Sequence, residues 1–289
     1  MTPRTPSTWL VTGASSGIGL ALTRAAAARG DSVLAVARDV SGLRPLADEH
    51  GPRVLPVAAD VRRQDEVDAA VSWAVEAFGR IDVVANNAGY GLFGAVEEST
   101  DEQARAVFDT NVFGVLNVLR ATLPVLRAQR SGHVLQGSSY YGQVAHPGVG
   151  LTSATKYAVE GLTDALAGEL EPLGIRVTLV EPGPTATAFG ANLDVAGTLA
   201  DYDPTVREVQ KAIGELPPSA FDSPERVAAA VLAAVDADRP PLRLATGSTA
   251  VREIRTALQG RLAELDAWAA TSEAVGTGAG ARVDAATVS

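Results

Sequence analysis

A glycine-rich turn near the start of the chain has residue types and spacing suited to binding phosphate. Gly13, Gly17 and Gly19 fall within the run Thr12–Gly19, which follows the apolar run Trp9–Thr12 and precedes a helical pattern. Glycines let a backbone turn tightly and approach a pyrophosphate, and the next helix offers free N–H groups and the positive end of its dipole. This context predicts a dinucleotide site rather than a plain tight turn. The predicted cofactor contacts in the turn are Gly13, Ser15, Ser16, Gly17, Ile18 and Gly19.

The end of the second apolar run bears on which dinucleotide is bound. About 20 residues after such a turn, a side chain meets the adenosine ribose, and a carboxylate there favours NAD. Here the run ends with Ala37 and Arg38, and a guanidinium can bind a 2′-phosphate through its planar set of N–H groups. Asp39 is one residue further and could compete. The pattern favours NADP(H) over NAD(H), with Ser15 and Ser16 as further donors to the phosphate.

Two later runs end in residues that a dinucleotide could contact. Asp60 and Val61 close the third run, where the carboxylate is placed to accept from the adenine amino group and Val61 to lie against the ring. An N-cap of the following helix is the alternative role for Asp60. The run Asn86–Gly89 closes the fourth, and its small residues allow backbone contact with the cofactor riboses. The predicted contacts there are Asn87, Ala88 and Gly89.

The composition argues against several other kinds of site. The 289-residue chain has a formal net charge of −10, whereas a nucleic-acid surface requires clustered Lys and Arg. It has no cysteine, and His50, His133 and His146 lack zinc-ligand spacing, so we expect no disulfide, thiol catalysis or metal site. No apolar run reaches the ~20 residues of a membrane span, and the first residues do not read as a signal peptide. We therefore expect a cytoplasmic protein that does not bind membranes.

The elements that must position these residues follow from short apolar runs that alternate with longer amphipathic stretches. The predicted strands are Trp9–Thr12, Ser32–Ala37, Val54–Ala58, Asp82–Ala85, His133–Gly137, Arg176–Val180 and Leu242–Ala245. The predicted helices are Gly17–Arg29, Arg63–Phe78, Thr110–Gln129, Ser153–Leu173 and Pro224–Val235. Continuous apolar strands are typical of a parallel sheet buried on both faces. The pattern predicts an α/β protein of the Rossmann type, with a doubly wound, seven-stranded parallel sheet flanked by helices on both faces.

The domain organisation is simple, because no linker divides the chain. We expect one dinucleotide-binding catalytic domain over residues 1–270. Residues 188–222 interrupt the alternation with the doublet Pro217-Pro218 and no clear period, which is typical of a substrate loop or lid, although a plain surface excursion is the alternative. Residues 271–289 are rich in Ala, Gly and Thr and have no aromatic residue, so we expect a disordered tail.

With these residues in place, the chain resembles the short-chain dehydrogenase/reductase family over roughly residues 8–246. The resemblance rests on Thr12–Gly19, Asp60, Asn86–Gly89, Asn111, Ser138-Ser139, Lys156 and Pro182-Gly183, in the family's order and spacing. It implies an oxidoreductase in which a Tyr hydroxyl gives or takes a proton at the substrate oxygen. A Lys lowers the pKa of that Tyr and holds the nicotinamide ribose, a Ser fixes the substrate oxygen, and an Asn keeps a helix open for a water that leads to the Lys.

The resemblance assigns these roles residue by residue, with one gap. It identifies the Lys with Lys156, the Ser with Ser139 and the Asn with Asn111, and it places the Tyr four residues before Lys156. That position holds Thr152. An alkyl hydroxyl ionises far less readily than a phenol, whose ordinary pKa is about 10, and Thr is shorter by a whole ring. A water bound to Lys156 could fill the space that the ring leaves.

Two other side chains could take over the proton transfer. Tyr141 follows Ser139 by two residues, at a position that lines the substrate site in the family. His146 lies in the stretch Val144–Pro147 that borders the pocket, and imidazole is a natural acid or base. The alternatives are that Tyr141 only shapes the pocket wall and that His146 is a solvated loop residue. The proton route is therefore open between a water on Lys156, Tyr141 and His146.

The resemblance also implies binding roles after the sixth predicted strand. Pro182 and Gly183 would wrap the nicotinamide, and Thr185 and Thr187 would hold its carboxamide or the pyrophosphate. Four aromatic residues are candidates for the pocket wall and equally for core packing. They are Tyr90, Phe93, Phe189 and Tyr202.

The leading hypothesis for function is an NADP(H)-dependent oxidoreductase that acts on a carbonyl or hydroxyl of an apolar small molecule, with an altered proton-transfer site. The alternatives are a non-redox isomerase, cyclase or dehydratase on the same scaffold, and an NADP(H)-binding protein without turnover. The resemblance further implies a homodimer or homotetramer that pairs the predicted helices Thr110–Gln129 and Ser153–Leu173. Small residues at Ala158, Ala165 and Gly168 suit close helix packing, although the same face could be ordinary core.

Overall fold

A seven-stranded parallel sheet separates two layers of helices. The computed structural model describes residues 5–187, 190 and 192–275. The strands there are β1 (Thr8–Thr12), β2 (Ser32–Ala37), β3 (Val54–Ala58), β4 (Val83–Asn86), β5 (Leu92–Phe93), β6 (Gly132–Gly137), β7 (Ile175–Pro182), β8 (Asp194–Val195) and β9 (Arg243–Thr246). The main sheet has the order β3-β2-β1-β4-β6-β7-β9, and all its pairs are parallel. This confirms the predicted Rossmann fold.

The strand order fixes where a ligand can bind. From β1 the chain builds β2 and β3 on one side, and then crosses back to place β4 on the other side of β1. The carboxyl ends of β1 and β4 therefore flank the point at which the order reverses. In open parallel sheets, ligands bind in the crevice outside the strand ends at that point.

The helices cover both faces of the sheet. They are α1 (Gly17–Ala28), α2 (Arg44–His50), α3 (Gln64–Phe78), α4 (Asp101–Phe108), α5 (Gly114–Gln129), α6 (Gly150–Leu170), α7 (Glu208–Gly214), α8 (Pro224–Asp236) and α9 (Ser248–Ala274). Successive strand residues point to opposite faces, and accordingly Leu10 belongs to one buried cluster while Trp9 and Val11 belong to another. The first cluster draws on α3, α5 and α6, and the second on α1 and α8.

The helix predicted to begin at Thr110 begins earlier and is irregular. It starts with α4, where Thr100 and Gln103 form a reciprocal capping box. Residues Asp109–Phe113 then form a π-helical turn that leads into α5. A π turn widens the helix by one residue and exposes groups for side-chain bonding. The hydrophobic period alone did not reveal this widening.

The insertion 188–222 is more regular than predicted. It contains the short strand β8, paired with β5, and the helix α7. A bridge between Thr185 and Asp222 ties its two ends together, with backbone bonds from Ala186 N to Asp222 O and from Asp222 N to Pro184 O. Two- and seven-residue elements are too short to show a period in sequence.

The C-terminal helix α9 displaces the predicted domain boundary at residue 270. It continues through Thr271 to Ala274, so the prediction of disorder is wrong for these four residues, and residues 276–289 lie outside the described residues. Ala, Glu and Ser are compatible with a helix, and composition alone did not separate the helix end from the tail. Among the described helices, none combines the length and apolar character needed to cross a membrane.

The face of α6 proposed for subunit pairing is open to solvent. Ala165 and Gly168 are exposed in the chain, so they are not ordinary core. Phe113 and Tyr157 are also exposed, at 53% and 39%. Pairing through α5 and α6 stays a prediction.

Candidate active site

A large cavity lies at the carboxyl ends of the strands, at the predicted crevice. It encloses about 1290 Å³, which exceeds the ~300–1,000 Å³ of a site for one small ligand and leaves room for a dinucleotide and a substrate together. All but one of the sequence-predicted cofactor residues line it. They are Gly13, Ser15, Ser16, Gly17, Ile18, Arg38, Asp60, Val61, Asn87, Ala88, Gly89, Lys156, Pro182, Gly183, Thr185 and Thr187.

The exception, Gly19, supports the glycine turn from behind. A Cβ on Gly19 would lie 2.2 Å from Gly13 O and 2.7 Å from the Asn87 side-chain nitrogen, so only glycine lets α1 approach the turn this closely. Gly13 and Gly17 have φ of 64° and 52°, in the left-handed region that favours glycine. The Ser16 hydroxyl does not cap α1, so the helix N-terminus opens into the cavity without a side-chain cap. This cradle fits a pyrophosphate.

The end of β2 presents one charge to the cavity. Arg38 lines it, whereas the Asp39 carboxylate turns back and accepts from Ser41 N at 2.8 Å. That bond, followed by one with the Ser41 side chain, lowers the pKa of Asp39. The Asp39 carboxylate is therefore turned to its own backbone, and Arg38 is the charged side chain that the end of β2 presents to the cavity.

Asp60, predicted to contact the adenine, is paired with a neighbouring arginine. Asp60 lines the cavity, but both carboxylate oxygens accept from Arg62, and Oδ1 also accepts from Arg62 N at 3.0 Å. This pairing lowers the pKa of Asp60. The N-cap of α3 is Arg63, so the alternative role of Asp60 as that N-cap is wrong. Arg62 also lines the cavity and was not predicted.

Thr12 holds the ends of β1 and β4 together. Its hydroxyl accepts from Asn87 N at 2.9 Å and from Ala88 N at 3.0 Å, and the Asn87 amide donates to Thr12 O at 3.1 Å. These bonds fix the small-residue segment against the glycine turn, so both walls of the cofactor site are set by one buried residue.

Asn111 lies in the π-helical turn and acts from outside the cavity. Its amide accepts from Tyr90 N at 3.0 Å and donates to Tyr90 O at 2.8 Å and to Thr155 Oγ1 at 3.1 Å. These bonds join the segment after β4 to α6, the helix that carries Lys156. Asn111 thus links the Tyr90 backbone on one side of the candidate site to Thr155 of α6 on the other.

Ser139 and Lys156 both lie near the carboxyl end of β6. The Lys156 ammonium donates to Gly137 O at 2.8 Å. Ser139 Oγ accepts from Tyr141 N at 3.2 Å and donates to Pro182 O over a long 3.5 Å. Both side chains line the cavity. Burial lowers the pKa of Lys156 to about 8, partly opposed by the Glu160 carboxylate. A lysine with a pKa near the working pH is a competent proton donor and acceptor.

The Thr152 hydroxyl is fully occupied by the backbone. It donates to Leu92 O at 2.9 Å and accepts from Leu92 N at 2.8 Å, and the residue is 3% exposed. A hydroxyl has one proton to give. Thr152 therefore holds β5 in place and lacks a free proton to pass to a ligand, although its side chain borders the cavity.

The two candidate substitutes occupy different places. Tyr141 lines the cavity, and burial raises the pKa of its phenol. His146 does not line the cavity and packs edge-on to Tyr141, with ring centroids 6.0 Å apart. Tyr140 packs against Tyr141 with ring centroids 4.2 Å apart, and its ring lies 6.2 Å from that of His146. The geometry keeps Tyr141 within reach of a substrate and places His146 behind it.

A buried acidic network lies behind Ser138 and was missed. Glu160 accepts from Ser138 Oγ at 2.5 Å, and Gln143 Nε2 donates to both Glu160 and Glu181. Arg243 bonds Glu160 at 3.0 Å and lies 3.7 Å from Glu181. Burial, followed by the charge of Glu160, raises the pKa of Glu181. In the sequence, Glu181 is only the residue that follows a predicted strand. Its contacts could not be predicted from it, because Gln143, Glu160 and Arg243 are 21 or more positions away.

The insertion closes one side of the cavity and is pinned by Glu98. That buried carboxylate accepts from Leu199 N at 2.8 Å and forms a very short ion pair with Arg207 of the insertion. The Arg207 hydrogen bond lowers the pKa of Glu98 to about 2. The insertion lines the cavity with mainly apolar residues, together with Asn192 and Gln210. The apolar ones are Leu193, Ile213, Leu216, Pro218 and Phe221.

The aromatic candidates separate into two groups. Tyr90 and Phe93 line the cavity. Tyr202 packs beside Phe93 without lining the cavity, and its hydroxyl donates to Glu97 Oε2 at 2.6 Å. Phe189 lies outside the described residues.

Comparison with known proteins identifies the family. The family model for short chain dehydrogenases matches residues 7–196. The chain is 40% identical over 245 residues to oxidoreductase BOA17 of Botryotinia fuckeliana, which spans 84% of this chain and 89% of that protein. It is 35% identical to a 3-ketodihydrosphingosine reductase of Bacteroides thetaiotaomicron, over 84% of this chain and 88% of that one. The chain belongs to the short-chain dehydrogenase/reductase family of oxidoreductases.

Solved structures agree with this assignment. A short-chain dehydrogenase from Streptomyces avermitilis has a TM-score of 0.88 and 37% identity, covering 93% of this chain and 99% of that chain. A relative from Burkholderia phymatum in complex with NAD has a TM-score of 0.76 and 26% identity, covering 88% and 94%. One from Burkholderia cenocepacia in complex with NADP has a TM-score of 0.72 and 29% identity, covering 90% and 96%. These neighbours support a nicotinamide cofactor.

Proposed function

We propose that this protein is an NADP(H)-dependent oxidoreductase that interconverts a carbonyl and a hydroxyl on an apolar organic molecule, with Lys156 as the proton donor and acceptor. The observation that carries the proposal is the placement of Lys156 and Ser139 in the cavity while the Thr152 hydroxyl is held by Leu92. The relatives reported above are an oxidoreductase and a reductase, which favours redox chemistry over a non-redox reaction.

The preference for NADP(H) rests on the charges at the ribose end. Arg38 lines the cavity and Asp39 is turned away from it. A 2′-phosphate would gain charge-assisted hydrogen bonds there, whereas the 2′-hydroxyl of NAD(H) would find no carboxylate on the β2 side.

The proton route follows from which groups have a proton to give. A reduced nicotinamide, when bound, supplies a hydride. Ser139 Oγ then orients the substrate oxygen, and the Lys156 ammonium delivers the proton that the oxygen needs as its charge develops, directly or through one water in the space beside Thr152. The Gly137 carbonyl holds the ammonium in place. Tyr141, whose pKa is raised by burial, serves as a wall of the substrate site in this scheme.

The substrate class follows from the apolar part of the cavity lining. Tyr90, Phe93, Tyr141 and Val149 line the cavity together with Leu193 and Phe221 of the insertion. Leu193 packs in one cluster with Phe93, Tyr141 and Val149. No charged side chain lies among these wall residues. An apolar ketone, aldehyde or secondary alcohol fits this surface better than a charged acid, because burial of an unpaired charge is costly.

The test is turnover of NADPH absorbance with a panel of apolar ketones and aldehydes, in the wild type and in Lys156→Met, Tyr141→Phe and His146→Ala. We expect Lys156→Met to lower kcat by about 10²–10⁴-fold, since that is the usual contribution of a positioned proton donor. Tyr141→Phe, which keeps the shape of the wall, and His146→Ala, which changes a residue outside the cavity lining, should stay within a few-fold of wild type. Loss of turnover in Tyr141→Phe with an active Lys156→Met would overturn the proton assignment.

A further inference from the structure

The helix α9 extends away from the body of the protein after its first turns. Ala250 is buried, and Ile254 and Ala257 pack against the cluster around Tyr140. Arg261 donates to Gln143 O at 3.1 Å and to its side-chain oxygen at 3.2 Å. From residue 262 to 275 all residues but Ala269 are exposed. About half of this 27-residue helix therefore lacks a packing surface within the described chain.

An apolar stripe runs along the exposed part. Leu258, Leu262 and Leu265 are 51%, 58% and 62% exposed, and their spacing of four and three residues places them on one side of the helix. Trp268 follows at 63% exposed. Scattered single apolar residues are ordinary on a surface, but a contiguous stripe of large ones marks an interaction site.

The charges of α9 are ordered in the sense opposite to that preferred by an isolated helix. All three of its basic residues, Arg252, Arg255 and Arg261, precede Leu262. Three of its four acidic residues follow Leu262, namely Glu264, Asp266 and Glu273. The helix dipole favours acids near the N-terminus and bases near the C-terminus, so this order costs the helix free energy when it stands alone.

An antiparallel partner with the same sequence removes that cost and covers the stripe. We propose that α9 pairs antiparallel with the α9 of a second copy of this chain, through Leu258, Leu262 and Leu265. The basic half of each helix then lies against the acidic half of the other, whereas a parallel pair would place like charges together. The segment after Val275 contains no leucine and no aromatic residue, so it matches the stripe poorly as a covering.

The register of the pair follows from the stripe. With Leu262 near the two-fold axis, Leu258 of one copy meets Leu265 of the other, because they lie four residues before and three residues after the axis. Arg255 and Asp266 are eleven positions apart, about three turns, and so share one flank of the stripe. In the antiparallel pair, Arg255 of one helix lies about three residues, or roughly 4.5 Å along the helix, from Asp266 of the other helix. An arginine side chain can span this distance.

Disulfide trapping tests the pair directly, because the chain has no cysteine. Leu262→Cys should cross-link between copies under mild oxidation, since cysteines near a two-fold axis can meet the ~4.4–6.8 Å Cα separation of a disulfide. The matched control is Ala267→Cys, an exposed position on the opposite side of α9. Equal cross-linking rates at the two positions would overturn the proposal. So would cross-linking of Leu262→Cys that appears only after residues 276–289 are removed, because the tail would then be the covering segment.

Charge exchange tests the antiparallel register. In the Leu262→Cys background, Arg255→Glu should slow cross-linking by about tenfold, since both symmetry-related pairs become repulsive. Adding Asp266→Arg should restore the original rate. Failure of the second change to restore it would overturn the antiparallel pairing. Pairing through α5 and α6 does not affect either readout, because only contact between two α9 helices brings the cysteines together.

Discussion

Replacing Thr152 with valine separates a structural role of its hydroxyl from a chemical one. Valine has nearly the same shape but no hydroxyl, so Leu92 N and Leu92 O lose their partner. Strand β8 cannot replace it, because Asp194 N bonds Gly91 O and Ala196 N bonds Phe93 O, one residue to either side of Leu92. Leu92 is 2% exposed, which limits access of water to the two orphaned groups.

The expected loss follows from two unsatisfied buried backbone groups. Each costs about 1–3 kcal/mol, so Thr152→Val should lower the free energy of unfolding by roughly 2–6 kcal/mol. Thr152→Ser keeps both hydrogen bonds and loses one methyl group, which costs about 1 kcal/mol. The pair of variants therefore differs in the hydroxyl, while both are small changes in volume.

Urea unfolding followed by circular dichroism, with linear extrapolation to water, measures both variants. A Thr152→Val free energy within about 0.5 kcal/mol of Thr152→Ser would refute the reasoning, because it would show that Leu92 does not depend on the hydroxyl. The rate of NADPH turnover is the second measurement on these variants. Folded Thr152→Val should retain the wild-type rate within a few-fold, and its complete inactivity would mean that the hydroxyl takes part in proton transfer.

Four further outcomes follow from the site. Thr152→Tyr should lower the free energy of unfolding, because both hydrogen bonds to Leu92 are lost. The same variant should reduce carbonyl compounds faster if its phenol reaches the cavity. Urea unfolding and NADPH turnover on one preparation measure the two effects. The carbonyl reduction rate should fall as pH rises through the Lys156 pKa of about 8, since the protonated form is the donor, and this limb should be absent in any activity retained by Lys156→Arg. Arg38→Leu should weaken NADPH binding by about 10–100-fold and leave NADH binding nearly unchanged, as fluorescence titration would show. The folded pKa of Glu98 is lowered from 4.5 to about 2, so its contribution to stability is present above pH 4.5 and is lost as pH falls toward 2. Because the ionised Glu98 accepts a hydrogen bond from Leu199 N, Glu98→Gln should speed hydrogen exchange of the Leu199 amide at neutral pH.

The sequence predicted the sheet well, and all but one of the residues it assigned to the cofactor line the cavity, because both depend on local patterns. Buried parallel strands are continuous apolar runs, and a glycine turn between a strand and a helix is readable over eight residues. The strand ends differ from the predicted ones by at most two residues. The positions of Lys156 and Ser139 came from the resemblance to the family and not from a local pattern.

The features that sequence did not reveal depend on long-range partners. Thr152 bonds a residue 60 positions away, and Glu98 bonds Arg207 across 109 positions. Arg62 follows Asp60 by only two residues, yet its bidentate pairing depends on a backbone turn that shows no hydrophobic period in the sequence. The exposed stripe of α9 has a helical period, but it lies between the last predicted strand and residue 270, where no helix was predicted from the sequence.

NADPH-dependent carbonyl reduction is tested by measuring kcat/KM for one apolar carbonyl compound with NADPH and with NADH, while the alcohol product is quantified against the cofactor consumed. We predict one alcohol formed per NADPH oxidised. We also predict a kcat/KM at least about tenfold higher with NADPH, because Arg38 offers charge-assisted hydrogen bonds to the 2′-phosphate. No oxidation of either cofactor across the carbonyl panel, or a higher kcat/KM with NADH, would contradict these predictions.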